Sequence, residues 1–323
     1  MELKSRLGLA GISLLPDVLA DMDYVIDKLR ELHLTEAELG HKPVLEFVVA
    51  HNRETLDLTD NNQGYLRPFD GLGQRLQDAG IEPVVLLFNP QGTGAHMASQ
   101  YIEERVLAVT FAKAAVDIVR HLGGNYVMGP LAIEHKYAGV SLPNLMVDHL
   151  KRVGEYAADR DVVLAVERLR REETNVFHTL DQVLEIIHAV NLPSVGFQED
   201  TAHAVANEGP ALLPTLKRGL DSGRLLYLHL SEYGDWGTAH NRAELQSGGI
   251  VHGQLLPIMQ LLAATGYAGP VTLEVPHIAF KDALGQADPS SLSRVTPEIQ
   301  NQVAYNRTET SVRSVLAAYR TLR

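Results

Sequence analysis

Four short apolar runs in this chain each end on a residue able to bind a hard or borderline cation. Ser194–Ala204 reads SVGFQEDTAHA, an apolar run from Val195 to Phe197 that closes on Asp200, with His203 three residues on. VVLAVE closes on Glu167, LLYLHL carries His229 and VTLEV carries Glu274. These candidate ligands, Glu167, Asp200, His229 and Glu274, stand 33, 29 and 45 positions apart. A strand, its helix and their loops take roughly 30 residues, so each candidate falls at the same level of a successive strand. The last gap is longer because Glu232–His252 (EYGDWGTAHNRAELQSGGIVH) inserts an extended loop. Three carboxylates and one imidazole suit Mn2+, Mg2+ or Co2+ better than a structural zinc. Gathered without a cation, the carboxylates would repel and their pKa values would climb. Any single buried Glu at a strand end is more often a structural ion-pair partner than a ligand; the common register of all four is what points to a metal.

Such ligands need a set of parallel strands to hold them level. Candidate strands are Leu7–Ser13, Pro43–Ala50, Glu82–Phe88, Tyr126–Pro130, Val162–Glu167, Val195–Glu199, Leu225–Leu230 and Val271–Val275. Most are continuous apolar runs, as expected of strands covered by helices. Between them lie helical patterns: Ile102–Leu122, the Met146–Leu150–Val153–Ala157 stripe, Leu180–Val183–Ile187–Val190, and Leu255–Ile258–Met259–Leu262. Eight strand–helix units in series predict a single α/β domain over residues 1–323, a closed (β/α)8 TIM barrel. An open doubly wound sheet is the rival, but no GxGxxG or GxxxxGK[ST] phosphate loop follows any strand. The polar residues gather at the C-terminal strand ends, where a barrel carries its active site. Ala50–Phe69 and Pro276–Ala304 are longer excursions on that rim; residues 276–304 read as a lid or an oligomer contact.

A net charge of −12 argues against nucleic-acid or anionic-membrane surfaces, since both require basic patches. With no cysteine, the chain has no disulfide, thiolate nucleophile or zinc–thiolate site. Lys4 and Arg6 before LGLAGISLL mimic a short secretory signal, but Pro16 and Asp17 follow at once and no small-residue cleavage pattern is present. A first strand is the better reading, with the cytoplasm as the default compartment. No apolar run approaches the roughly 20 residues a membrane span requires.

The sequence resembles the sugar phosphate isomerase/epimerase superfamily, the xylose-isomerase-like barrels, and within it the ketose 3-epimerases. The resemblance rests on ERLRREETNVFH (Glu167–His178), DTAH (Asp200–His203), HLSE (His229–Glu232), GGIVHGQLLPIM (Gly248–Met259) and LEV (Leu273–Val275), with YVMGP (Tyr126–Pro130) at the fourth strand. It is well carried over strands four to eight, and by architecture alone before them. The resemblance implies one divalent metal, Mn2+ first and Mg2+ or Co2+ otherwise, held by Glu167, Asp200, His229 and Glu274. It implies that Glu167 and Glu274 also move the proton, through a metal-stabilised enediolate formed beside a sugar carbonyl. Glu173 would hydrogen-bond the substrate near its carbonyl, and His203 would contact the substrate oxygen near the metal. Their alternatives are a solvated charge in the RREE run and a helix-start histidine bonded to backbone.

One departure matters. The ketose 3-epimerases usually carry an arginine six residues after the histidine ligand, and here that position is Asp235. Arg242 is the nearby cation that could replace it, and Trp236 offers either a stacking face for a sugar or a core residue. His252 is read as orienting its loop. Glu134, His135, Lys136, His51 and His277 are rim candidates by position, and Glu46 a structural ion-pair partner. The same site could serve a lyase or dehydratase acting on an inosose or 3-keto-sugar, where a β-leaving group departs instead of the proton returning. A DNA-cleaving relative would need more histidines and a basic groove, and a degenerate binding barrel would have no reason to retain all four ligands. The expected partner is a small-molecule sugar, with no nucleic acid and no membrane, and relatives on this fold imply a homo-oligomer (dimer or tetramer).

Overall fold

The computed structural model describes residues 7–10, 26–27, 44–50, 64–88, 95–131, 143–171, 173–174, 176–233, 242–243, 245, 248–274 and 297–322. Eight strands carry the fold: β1 (Leu7–Ala10), β2 (Val44–Ala50), β3 (Glu82–Phe88), β4 (Tyr126–Gly129), β5 (Val163–Glu167), β6 (Val195–Asp200), β7 (Leu225–Leu230) and β8 (Val271–Leu273). They form a closed barrel in the order β1-β8-β7-β6-β5-β4-β3-β2, the arrangement the strand–helix alternation predicts. The pairings of β1 with β8, β8 with β7, β3 with β4, β4 with β5 and β5 with β6 are parallel. Val84 stands against Tyr126 in β4, Gly129 against Val166 in β5, Glu167 against Gln198 in β6, and Thr272 in β8 against His229 in β7.

Continuous apolar strands follow from this geometry, because both faces are covered. In β3, Val84, Val85 and Leu87 are completely buried, and in β6 every residue from Val195 to Asp200 is buried. The helices present one apolar stripe each. Met146, Leu150, Val153 and Ala157 line the buried side of the Pro143–Ala158 helix, and Leu255, Ile258, Met259 and Leu262 that of Leu255–Thr265. Helix Leu180–Val190 starts on a capping box, in which Thr179 Oγ1 accepts from Gln182 N and the Gln182 side chain accepts from Thr179 N. Helix Ile102–His121 carries Glu103 and Glu104 in its first turn and Arg120 and His121 in its last, matching the helix dipole at both ends.

Contacts within the chain gather into two compact units: Glu46–Glu199 with Arg218–Tyr227, and Met1–Leu45 with Asp200–Lys217 and Leu228–Arg323. In the first, Asp117 accepts hydrogen bonds from Tyr65 Oη at 2.8 Å, Tyr156 Oη at 2.9 Å and Arg160 Nε at 3.1 Å, and the Arg160 guanidinium lies 3.5 Å from the centre of the Tyr156 ring. In the second, the Glu232–Tyr233 and Arg242–Ala243 segments pair as a short antiparallel ribbon inside the long loop after β7. Residues 297–304, expected to belong to a rim excursion, are the opening turns of the helix Pro297–Arg320, and residues 275–296 lie outside the described residues. Among the described residues, no helix is long and apolar enough to cross a membrane.

Candidate metal centre

The four expected ligands come together. Glu167 is the last residue of β5, Asp200 the last of β6, His229 the last but one of β7, and Glu274 follows β8 directly. Each offers one ligand atom, and those atoms all lie within 4.8 Å of one another. All four side chains are buried. Parallel strands place their C-terminal ends on one rim, so strand endings far apart in sequence become a cluster in space. The Glu274 N–H donates to Leu230 O at 3.1 Å, which continues the ladder one step past β8 and sets the Glu274 side chain beside His229.

The imidazole lies between two of the acids, with His229 Nδ1 3.1 Å from Glu274 Oε2 and 3.8 Å from Asp200 Oδ2. Like charges about 4 Å apart cost about 4 kcal/mol even at an effective dielectric near 20. Three carboxylates and a single imidazole concentrate acidic groups in a buried space, an arrangement that could hold an oxygen-preferring divalent cation. The donor set fits such an ion: three oxygen ligands and one nitrogen, with no thiolate.

Asp200 has a second task. It is the N-cap of the Thr201–Glu208 helix, and its Oδ1 accepts from Ala202 N at 2.8 Å and His203 N at 3.0 Å. The same oxygen accepts from Ser231 Oγ at 2.7 Å. Ser231 is bound in turn to Thr201, whose Oγ1 donates to Ser231 O at 2.7 Å and accepts from Ser231 N at 2.9 Å.

Alternation along a strand sends neighbours of a ligand to the opposite face. Arg168, next to Glu167, and Glu199, next to Asp200, meet there in a buried ion pair; Arg168 Nη1 also donates to His178 O at 2.7 Å. Beyond β7, Glu232 is buried and takes three backbone donors: Val251 N and Tyr233 N on Oε1, and His252 N on Oε2. This carboxylate fixes the turn before the Leu255–Thr265 helix. Sequence reasoning passed over Ser231, Thr201, Glu232 and the Arg168–Glu199 pair. The one available signal was their position beside or just after a ligand.

The remaining expected site residues divide. Glu173 sits in the turn after β5, with Oε1 at 2.7 Å from Arg170 Nη2 and Oε2 at 3.2 Å from Arg170 Nε, so it is ion-paired and not simply solvated. His203 is buried in the first turn of the Thr201–Glu208 helix. His252 opens a short 3-10 turn, and its backbone N–H donates to Glu232. Arg242 contributes its backbone to the antiparallel ribbon, and its side chain lies outside the described residues, as does that of Glu46 in β2. Trp236, Asp235, His51, Glu134, His135, Lys136 and His277 also lie outside the described residues.

An eight-stranded barrel with a buried acidic and histidine cluster at its strand ends defines the class. The model of the xylose isomerase-like TIM barrel family matches residues 22–293, and the chain belongs to that family. An L-ribulose 3-epimerase of Mesorhizobium japonicum is 27% identical over 242 residues, covering 71% of this chain and 75% of that protein. A 3-dehydroshikimate dehydratase of Pseudomonas putida is 24% identical over 180 residues, 53% of this chain and 26% of that protein. Among solved structures, an L-ribulose 3-epimerase superposes with a TM-score of 0.67 at 18% identity, covering 98% of this chain and 97% of the other. The IOLI protein, solved with a bound zinc atom, superposes with a TM-score of 0.66 at 16% identity over 98% of each chain.

Proposed function

We propose that this chain is a divalent-metal-dependent sugar epimerase of the ketose 3-epimerase type, working as a single barrel domain. The observation that carries this reading is the buried cluster of Glu167, Asp200, His229 and Glu274 within 4.8 Å. Its family and its epimerase relatives support it. The four residues would hold one cation, Mn2+ in preference to Mg2+ or Co2+. When bound, that ion supplies positive charge to the substrate oxygens as the C–H proton beside the carbonyl leaves. Glu167 and Glu274 are the proton carriers, one removing the proton and the other delivering one to the opposite face. Asp200 and His229 serve as ligands only. Burial keeps bulk water from quenching the charge that develops.

Around this centre, His203 and Glu173 are assigned to the substrate, with Arg170 holding Glu173 in place through both carboxylate oxygens. Trp236 and Arg242 are likewise assigned to substrate binding. A lyase acting through the same proton abstraction is the second reading. It is favoured by Asp235 at the position where ketose 3-epimerases usually carry arginine, and by the dehydratase relative. The test is proton exchange followed by NMR in D2O, with Mn2+-loaded protein and a panel of ketoses, inososes and 3-keto-glycosides. Deuterium beside the carbonyl with a new epimer is expected, and Glu167→Gln and Glu274→Gln should each abolish it. Loss of a hydroxyl or an aglycone would assign the chain to the lyases, and no exchange with any substrate would overturn the proton-transfer reading.

A further inference from the structure

We propose that Ser231 is a positioning residue that commits Asp200 to bind the cation through Oδ2 alone. The inference rests on the metal-centre reading and concerns how this chain tunes it. Asp200 is fully buried, so both carboxylate oxygens must be accounted for inside the protein. Oδ1 takes three donors, Ala202 N, His203 N and Ser231 Oγ, at 2.8, 3.0 and 2.7 Å. A carboxylate oxygen carrying three hydrogen bonds has no lone-pair direction left for a metal. Oδ2 is the oxygen that faces His229, 3.8 Å from Nδ1.

The two backbone donors belong to the helix cap and would be there for any capping aspartate. Ser231 is different, because its hydroxyl comes from the end of another strand. Its direction is set on both sides. Ala202 N donates to Ser231 Oγ at 3.2 Å, which leaves the single hydroxyl hydrogen to point at Asp200. The Thr201–Ser231 pair of hydrogen bonds ties the β6 and β7 ends together, and Thr201 and Ser231 are both fully buried. Rotation of the carboxylate to bind a cation with both oxygens would break the Ser231 bond in a place that water cannot reach. Outer-sphere hydrogen bonds of this kind fix a ligand's orientation and commonly change metal affinity 10- to 100-fold.

The test is Mn2+ binding to metal-free protein by calorimetric titration, beside the thermal midpoint of the metal-free form. Ser231→Ala should weaken Mn2+ binding about 10- to 100-fold and leave the metal-free midpoint within a few degrees of wild type. Ser231→Cys, similar in shape but a weaker donor, should fall between the two, and it carries the test if the alanine variant does not fold. Unchanged Mn2+ affinity in both variants, with a lowered metal-free midpoint, would make Ser231 purely structural and overturn the inference. No Mn2+ binding by wild type would instead remove the metal centre itself, a separate result.

Discussion

Arg168 and Glu199 form an ion pair with side-chain exposures of 0% and 1%, one residue removed from Glu167 and Asp200 respectively. The guanidinium meets the carboxylate through Nε and Nη2 and uses Nη1 on the His178 carbonyl. The two residues that precede or follow a ligand on adjoining strands are thus fastened to each other on the opposite face. Register between β5 and β6, on which the placing of Glu167 opposite Gln198 depends, has a side-chain lock as well as a backbone ladder.

Breaking that lock by halves should be costly. Arg168→Met leaves Glu199 buried without its cation, and Glu199→Leu leaves the guanidinium without its anion. Each single change is expected to cost about 3–5 kcal/mol in urea unfolding. The double change Arg168→Met/Glu199→Leu should recover a large part of the loss, because it removes both charges together, though it also removes the Arg168 bond to the His178 carbonyl. A double variant as unstable as the sum of the singles would show that the pair contributes no mutual compensation.

Glu232 and Gly249 are fitted to one another. A Cβ added at Gly249 would lie 2.1 Å from Glu232 Oε2, so the turn can close over the carboxylate only with glycine there. Gly249→Ala should displace the turn and loosen the Val251 and His252 hydrogen bonds. Charge-assisted bonds of this type contribute about 1.5–3 kcal/mol, and the loss should be of that order. Glu232→Gln is expected to do comparable harm, since an amide offers one acceptor oxygen where the carboxylate uses two. Hydrogen exchange should report faster exchange at the Val251 and His252 amides in both variants.

Much of this architecture was legible in the sequence. Strand positions could be read because buried parallel strands are short, apolar and evenly spaced, and the ends of β3 and β7 fall where the apolar runs stop. The clustering of Glu167, Asp200, His229 and Glu274 could be anticipated because each puts a polar, ionisable group at or near the end of such a run. What could not be read is pairing. Nothing in ERLRREE tells that Arg168 turns away from Glu167 to reach Glu199, or that Arg170 closes on Glu173. Ser231 and Glu232 stood in view as part of HLSE, but a hydroxyl and a carboxylate after a strand are ordinary loop residues until their partners are known. The Arg242 ribbon depends on pairing with Tyr233 across the loop, which local periodicity does not encode.

Alkaline pH should expose the Asp117 network. Burial pushes the Tyr156 hydroxyl up to about 12 from 10.0, and its hydrogen bond to Asp117 adds to the rise. Tyr65 is raised for the same two reasons in the same order. The folded state thus keeps these protons where the unfolded chain has already lost them. Their contribution to stability is complete below about pH 10 and disappears as pH rises from there through about 12. Wild type should lose urea resistance steeply over that window. Tyr65→Phe/Tyr156→Phe should lose less over the window, while starting about 1–3 kcal/mol lower at pH 8 through its missing hydrogen bonds. Parallel pH profiles for the two proteins would contradict this assignment.

Removing the divalent cation should reverse the sign of two substitutions. Without the ion, Glu167, Asp200 and Glu274 crowd three carboxylates around His229, and deleting one charge relieves repulsion. Metal-free Glu274→Gln or Glu167→Gln is therefore expected to melt at or above metal-free wild type. With Mn2+ at 100 times its dissociation constant, wild type should gain about 2.7 kcal/mol, a rise of about 4 °C for a chain of this size. The glutamine variants, each lacking a charged ligand, should gain much less, so that their order relative to wild type inverts on adding metal. The measurement is a thermal melt of all three proteins with EDTA and with excess Mn2+. A fixed order under both conditions would mean that these glutamates stabilise the barrel as ordinary ion-pair partners, and that the charge they concentrate is not balanced by a bound cation.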